Sequence, residues 1–108
     1  MHAVIFEIWP KAEYKGAYLD IAASLRAELE QIDGFISVER FSSLTEEGKL
    51  LSLSFWRDEE SIARWRSQSG HQAAQGRGRR ELFADYRLRV ASVVRDYGPH
   101  DRDEAPQP

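Results

Sequence analysis

The chain has 108 residues, enough for one domain that buries roughly 60–65% of its unfolded surface, and no second domain fits. Its formal net charge of -3 argues against nucleic acid or an anionic membrane as the main partner. The sequence contains no cysteine, which excludes disulfides and thiolate sites and is compatible with a cytoplasmic location. Because no basic leader and no apolar run near the ~20 residues of a membrane span occurs, we expect neither secretion nor membrane insertion.

The first two predicted elements are a strand and a helix. Residues 2 to 9 are rich in β-branched and aromatic side chains, and Pro10 closes the predicted strand because proline cannot donate to a ladder. From about residue 15 to 32, apolar side chains recur at the spacing that is typical of an amphipathic helix. The pair Asp33-Gly34 ends this helix.

A hairpin and a second helix are predicted next. Two strands, residues 35 to 44 and 50 to 56, flank a short loop that contains Gly48. Asp58 is a favourable N-cap, and the two glutamates that follow it would lie where carboxylates meet the positive end of the helix dipole. The pattern therefore predicts a helix from about residue 59 to 67.

The rest of the chain is predicted as a helical piece, a strand and a tail. The helical piece covers roughly residues 72 to 84, after a break near Gly70, and side chains alternate along a strand from 86 to 97. Residues 98 to 108 hold three of the four prolines and no large apolar side chain, so we expect a disordered tail. The folded domain is predicted to span residues 1 to 97.

The order β-α-β-β-α-β predicts an α+β, ferredoxin-like fold, which is a four-stranded antiparallel sheet with both helices on one face. The other face is also apolar, since the first strand carries Val4 and Phe6 on one side and Ile5 and Trp9 on the other. Left uncovered, this face would exceed the few hundred Å² that monomers usually expose. We therefore expect a homodimer that forms through this sheet face.

Several segments resemble the antibiotic-biosynthesis monooxygenase family of dimeric α+β barrels, and the likeness covers nearly the whole predicted domain. They are Gly34-Phe35-Ile36-Ser37, the run from Lys49 to Trp56, Trp65, His71-Gln72-Ala73-Ala74-Gln75 and the run from Tyr86 to Val90. The resemblance implies a dimeric α+β barrel that oxidises a small aromatic or polycyclic substrate with dioxygen and no cofactor. Because the family also includes haem-degrading enzymes, haem binding or haem degradation is an alternative.

The resemblance also implies the catalytic residues. By order and context, Trp65 and His71 match the tryptophan and histidine that haem-degrading members use. Those members also use an asparagine on the first strand, but this sequence contains no asparagine, and the matching position falls near Phe6 or Glu7. A carboxylate at Glu7 could orient a bound group or act as a base.

The residue types indicate how such a site would work. His71 suits a general base because an imidazole has an unperturbed pKa of about 6.5. Planar ligands stack on indole rings, and a guanidinium stabilises a developing oxyanion. The predicted substrate-binding residues are Glu7, Trp9, Trp56, Gln75 and Arg87, with Arg89 as an alternative to Arg87.

Each of these residues also has a structural interpretation. His71 would then cap a helix or bond a backbone carbonyl, and Trp56 and Trp65 would pack in the core. The three histidines lack the spacing of a metal site, and the run from Gly76 to Arg80 is better interpreted as a solvated helix face than as a phosphate site. A non-catalytic dimeric module that binds a small apolar ligand or another protein is therefore a third functional class.

Overall fold

The computed structural model describes residues 1–68 and 83–107. Its elements are β1 (His2–Pro10), a 3-10 turn (Ala12–Tyr14), α1 (Lys15–Glu30), β2 (Phe35–Ser42), β3 (Leu50–Trp56), α2 (Glu59–Arg66) and β4 (Phe83–Ser92). The strands form one antiparallel sheet in the order β2-β3-β1-β4, which confirms the predicted ferredoxin-like fold. Neither α1 nor α2, the α-helices within the described ranges, is long and apolar enough to cross a membrane.

The turn from α1 into β2 depends on a glycine, as the sequence predicts. Gly34 has a φ of +96°, a conformation that side-chain-bearing residues rarely adopt, and its carbonyl accepts a hydrogen bond from the Arg57 backbone at 2.7 Å. A Cβ at position 34 would lie 2.7 Å from the Cβ of Ser61, in the first turn of α2. The backbone at Gly34 therefore packs directly against the start of α2.

α2 begins where the sequence predicts, because its cap is local. Asp58 accepts hydrogen bonds from the Ser61 amide at 2.8 Å and the Ser61 hydroxyl at 2.6 Å. These bonds, together with Arg57, hold the pKa of Asp58 well below its usual range. Arg57 also donates twice to Asp33, at 3.1 Å each, and so joins the end of α1 to the start of α2. This arrangement places Trp65, one turn after Ser61, against the sheet.

β4 differs from its predicted range of 86 to 97. Within the sheet, Phe83 pairs with Pro10 and Ser92 pairs with His2. β4 therefore covers the same length of the sheet as its antiparallel partner β1. The predicted helical piece from 72 to 84 is wrong at its last two residues, because Phe83 and Ala84 lie in β4. The remainder of that piece lies outside the described residues.

The segment after β4 makes local contacts. The Gly98 amide donates to the Asp101 carbonyl at 2.8 Å, and the Arg102 guanidinium lies 5.4 Å from the centre of the Tyr97 ring. The domain boundary at residue 97 and the disorder of the tail stay predictions.

The core lies between the sheet and the two helices. It is formed by inward-facing side chains of the strands and by the apolar stripes of α1 and α2. One cluster contains Leu29, Ile32, Val38, Trp56, Ile62 and Trp65, and a second contains Ile8, Tyr18, Ala22 and Leu50. In β1 and β3 the even-numbered residues face the helices, so the odd-numbered residues face the other way.

The side of the sheet remote from α1 and α2 is termed the outer face, and its residues include Ile5, Glu7, Leu51, Leu53 and Phe55. These side chains are only partly buried in the single chain. Phe41, on the neighbouring strand, is 41% exposed. The outer face therefore presents a largely apolar surface, as expected from the sequence.

Candidate functional site

A cavity of about 280 Å³ lies between the helices and the sheet, and we refer to it as the helix-side cavity. Its volume is near the lower end of the roughly 300–1,000 Å³ that is usual for small-molecule sites. Strands supply its floor, and α1 and α2 supply its roof. Its described wall includes six aromatic side chains, namely Phe6, Tyr18, Trp56, Trp65, Phe83 and Tyr86.

Four of these aromatic rings pack edge to face at the β4 side of the cavity. The Phe6 ring lies 5.9 Å from both Phe83 and Tyr86, and the Tyr18 ring lies 5.5 Å from Phe83. Such pairs contribute about 0.5–1.5 kcal/mol each beyond the burial of their area. The contacts therefore give this part of the cavity a wall that is apolar and held in place.

The two tryptophans belong to both the core and the cavity wall. Trp56 is 1% exposed, and its indole nitrogen donates to the Ser54 hydroxyl at 2.9 Å. Trp65 is buried on the inner side of α2. Because both rings are packed, a ligand in the cavity would meet surfaces whose positions are already fixed.

The main charged group inside the cavity is Arg40. It lies on β2, on the same side as Val38, and pairs with Ser52 across the sheet. Its Nε atom is buried and has no hydrogen-bond partner within residues 1–68 and 83–107. Tyr18 of α1 interacts with the guanidinium, which partly offsets the effect of burial, and the net effect raises the pKa of Tyr18. Tyr18 is thus a neutral phenol beside a fixed positive charge.

The remaining residues of the described wall that carry a polar group at the end of the side chain are Ser52, Ser54, Arg66 and Tyr86. The Ser54 hydroxyl already accepts from Trp56, and Arg66 is exposed at the end of α2. No group of three acidic or histidine side chains in the described part of the chain could hold a metal ion. The described chemistry of the cavity is therefore that of an apolar pocket with one partly buried cation, Arg40, and an exposed one, Arg66.

The structure does not bring all the predicted site residues together. Trp56 and Trp65 line the helix-side cavity. Glu7, Trp9 and Arg87 lie on the opposite side of the sheet, since β1 residues alternate between the two sides and Arg87 pairs with Glu7. His71 and Gln75 lie outside the described residues, so their roles stay predictions.

Glu7 and Trp9 instead belong to a charged cluster on the outer face. Glu7 forms ion pairs with Lys49 at 3.1 Å and Arg89 at 2.7 Å, and these cations hold the pKa of the Glu7 carboxyl below its ordinary value. The Lys49 ammonium also lies 4.7 Å from the centre of the Trp9 ring. The Trp9 indole donates to the carboxylate of Glu46. None of the three partners, Lys49, Arg89 and Glu46, lines the cavity.

Arg40 is not among the site residues predicted from the sequence. A signal for it was present, because Arg40 shares its side of β2 with the apolar residue Val38, and β2 pairs in register with β3. Tyr18 was placed on the apolar stripe of the first helix, with rim packing and hydrogen bonding to a ligand both left open for its hydroxyl. Arg40 faces the cavity because of the register between β2 and β3, and Tyr18 because of the side of α1 that meets the sheet. Neither placement can be inferred from one strand or one helix alone.

Solved structures with the same fold include oxygenases. Rv0793 from Mycobacterium tuberculosis has a TM-score of 0.80 at 16% identity, over 90% of this chain and 98% of that one. SnoaB from Streptomyces nogalater, described as a cofactor-independent oxygenase, has a TM-score of 0.77 at 12% identity, over 88% of this chain and 94% of that one. At these identities the likeness establishes the fold alone.

Sequence comparison establishes the family. Residues 1–77 match the model of the antibiotic biosynthesis monooxygenase family, and the chain belongs to that family. A protein of Pyricularia oryzae named jasmonate monooxygenase is 53% identical over 94 residues, which are 87% of this chain and 44% of that protein. An uncharacterised Bacillus subtilis protein, YqjZ, is 33% identical over 94 residues, which are 87% of this chain and 80% of that protein. The chain thus spans less than half the length of the jasmonate monooxygenase.

Proposed function

We propose that this chain is an oxygenase domain that takes a small, mainly apolar substrate into the helix-side cavity and oxidises it with dioxygen, without a bound cofactor. The observation that carries the proposal is the aromatic wall of the cavity, which belongs to a member of a monooxygenase family. A volume of about 280 Å³ favours a one- or two-ring substrate over a larger polycyclic one.

The chemistry without a cofactor requires the substrate to supply every electron that reduces dioxygen. A phenol can supply these electrons if it is oxidised at the ring carbon para to its hydroxyl. The C–H bond there is replaced by C=O, the phenol becomes the second carbonyl, and the two hydrogens leave as water with the other oxygen atom. The substrate loses four electrons and dioxygen gains four. Simple hydroxylation takes only two electrons from the substrate and would need an external reductant.

The proposed roles follow from residue type and position. His71 is the proposed base that takes the phenolic proton, and this assignment rests on its residue type and order in the sequence. Trp56 and Trp65 pack against the ring and exclude water from the resulting phenolate, which is the species that reacts with dioxygen. Catalysis by this route needs no metal ligand in the cavity wall.

The test is oxidation of 1-naphthol under ¹⁸O₂, followed by mass spectrometry. We expect 1,4-naphthoquinone that carries one ¹⁸O atom, formed without added reductant. His71→Ala should slow the reaction at least about tenfold, at the low end of what a general base contributes, whereas His100→Ala in the tail should not. A rate no higher than in protein-free solution would overturn the oxygenase proposal. Normal turnover by His71→Ala would overturn only the assignment of the base.

The outer face is proposed to pair with a second copy of the chain. Its support is the apolar row that contains Leu53 and Phe55 and is left partly exposed in the single chain. Light scattering should give the mass of a dimer at micromolar concentration. Leu53→Glu should reduce that mass to a monomer, whereas Leu44→Glu, at a fully exposed loop position, should not. A monomeric mass for the unmodified chain would refute the pairing.

Haem is not assigned to the described part of the cavity. No histidine within residues 1–68 or 83–107 lines the wall, and Tyr18 is held in its protonated form by burial. These residues do not fit a haem iron, which takes a histidine, a thiolate or a tyrosinate as its axial ligand. Titration with hemin, comparing the chain with its His71→Ala variant, tests whether His71 provides such a ligand.

A further inference from the structure

Arg40 is a partly buried cation, and its Nε atom is fully buried without a hydrogen-bond partner among the described residues. Arg57, Arg64 and Arg89 all form ion pairs with carboxylates. Arg40 forms no such pair with any residue of the described ranges, and its Nε atom is buried without a partner there. A guanidinium cannot lose its charge, and an unmade bond to a buried charged group is costly. Among the described residues, this side chain therefore leaves a donor available to an acceptor in the cavity.

We propose that Arg40 anchors a carboxylate of the ligand, so that this cavity binds small apolar carboxylic acids, and its substrates are those acids whose apolar body carries the oxidisable phenol. The inference rests on the proposed function, because it assigns chemistry to the same cavity. A carboxylate matches the fork of the guanidinium and carries the single charge that neutralises it. The neutral Tyr18 phenol beside Arg40 is a further donor for the same group.

The rest of the wall determines what lies beyond the carboxylate. The same wall includes Val4, Val38, Leu29 and the two tryptophans, and these side chains offer apolar contacts. A ligand with a charge at one end and a hydrocarbon body at the other would satisfy both regions. Jasmonate, which appears in the name of the Pyricularia oryzae relative, has this character and is a suitable probe.

The test compares acids with their methyl esters, which have nearly the same shape but no negative charge. Calorimetric titration with jasmonic acid and methyl jasmonate measures the two dissociation constants without requiring turnover. We expect the acid to bind about 10- to 100-fold more tightly, the range for hydrogen bonds to a charged group. Naphthaleneacetic acid and its methyl ester serve as a second pair. If neither acid binds more tightly than its ester, the proposal is overturned.

Variants then assign the preference to Arg40. Arg40→Gln should reduce the affinity for the acid to that for the ester and leave the ester unaffected. Arg26→Gln removes the same charge from an exposed position on α1 and should change neither affinity. Arg40→Lys keeps the charge but not the fork, and should retain part of the preference. A preference for the acid that survives in Arg40→Gln, with circular dichroism showing a folded protein, would overturn the assignment.

The two proposals fail in different ways. Tighter binding of the acids without oxidation of 1-naphthol would support the carboxylate anchor and overturn the oxygenase. Oxidation of 1-naphthol with equal binding of acids and esters would support the oxygenase and overturn the anchor.

Discussion

Replacing Gly34 with alanine tests how the start of α2, and hence the helix that carries Trp65, is held in place. Two separate costs arise. The first is conformational, since a non-glycine residue at a φ of +96° costs about 1–3 kcal/mol. The second is steric, because the new Cβ would lie 2.7 Å from the Ser61 Cβ and still closer to its hydroxyl. Ser61 is fully buried, so relief requires movement of the helix, at about 1–3 kcal/mol.

The expected loss in the free energy of unfolding for Gly34→Ala is therefore about 2–6 kcal/mol, a large share of the 5–15 kcal/mol typical of a domain. Gly48→Ala is the matched control. Gly48 has a φ of +86°, but a Cβ there would have no atom within 4 Å, so only the conformational cost applies. Urea unfolding, followed by the intrinsic fluorescence of the three tryptophans, measures the stability of both variants.

A double-mutant cycle isolates the steric cost. Ser61→Gly removes the two Ser61 atoms that the new Cβ would clash with and leaves only Arg57 at an ordinary contact distance of 3.4 Å. The combination with Gly34→Ala should therefore be less destabilising than the sum of the two single changes, by about 1–3 kcal/mol. If the two changes add to within about 0.5 kcal/mol, or if Gly34→Ala costs no more than Gly48→Ala, the contact does not position α2.

Three further predictions concern the cavity and the cap of α2. Replacing Arg40 with methionine and Tyr18 with phenylalanine removes a partly buried charge together with its phenol neighbour. We expect urea unfolding to show a gain in stability of about 1–3 kcal/mol while acid binding is lost, and a loss of stability would indicate that the pair is retained for packing. Trp65→Phe should weaken calorimetric binding of naphthaleneacetic acid and Trp9→Phe should not, because the two rings lie on opposite sides of the sheet; the reverse order would move the ligand to the outer face. The lowered pKa of Asp58 means that the unfolded chain binds the proton more readily, so the stability from this carboxylate is complete above about pH 5 and declines as the pH falls below 3.8, the ordinary value. Asp58→Asn keeps a good N-cap but does not titrate. Its urea midpoint should therefore fall less steeply between pH 6 and pH 3 than that of the unmodified chain. If the two midpoints fall in parallel, the loss of stability in acid does not come from Asp58.

The elements that the sequence predicts well are those whose signals are local. The start of α2 depends on Asp58 and on an amide only three residues later, and the end of α1 depends on a glycine whose conformation is visible from its residue type. β4 is different, because alternation continues to Tyr97 while the strand ends at Ser92, opposite His2. The length of a strand depends on its partner, and a single segment does not contain that information.

The candidate site was only partly predictable for a related reason. Both sides of β1 are rich in apolar residues, so the sequence did not reveal which side meets the helices. Glu7 and Trp9 were therefore grouped with Trp56 and Trp65, although the structure places the two pairs on opposite sides of the sheet. Arg40 was overlooked because an arginine in an alternating strand is usually solvent-exposed. Its importance appears only when register, burial and the absence of a partner among the described residues are considered together.

The alternation along β1 separates two surfaces that differ completely in chemistry yet share one backbone. Phe6 contributes to the aromatic wall of the cavity, and its immediate neighbour Glu7 anchors the charged cluster of the outer face. Adjacent residues thus determine pocket shape and surface charge independently, since a substitution at one position does not reorient the side chain at the other. Evolution can alter which molecules this fold accepts without altering what its sheet contacts, and the same independence is open to an engineer.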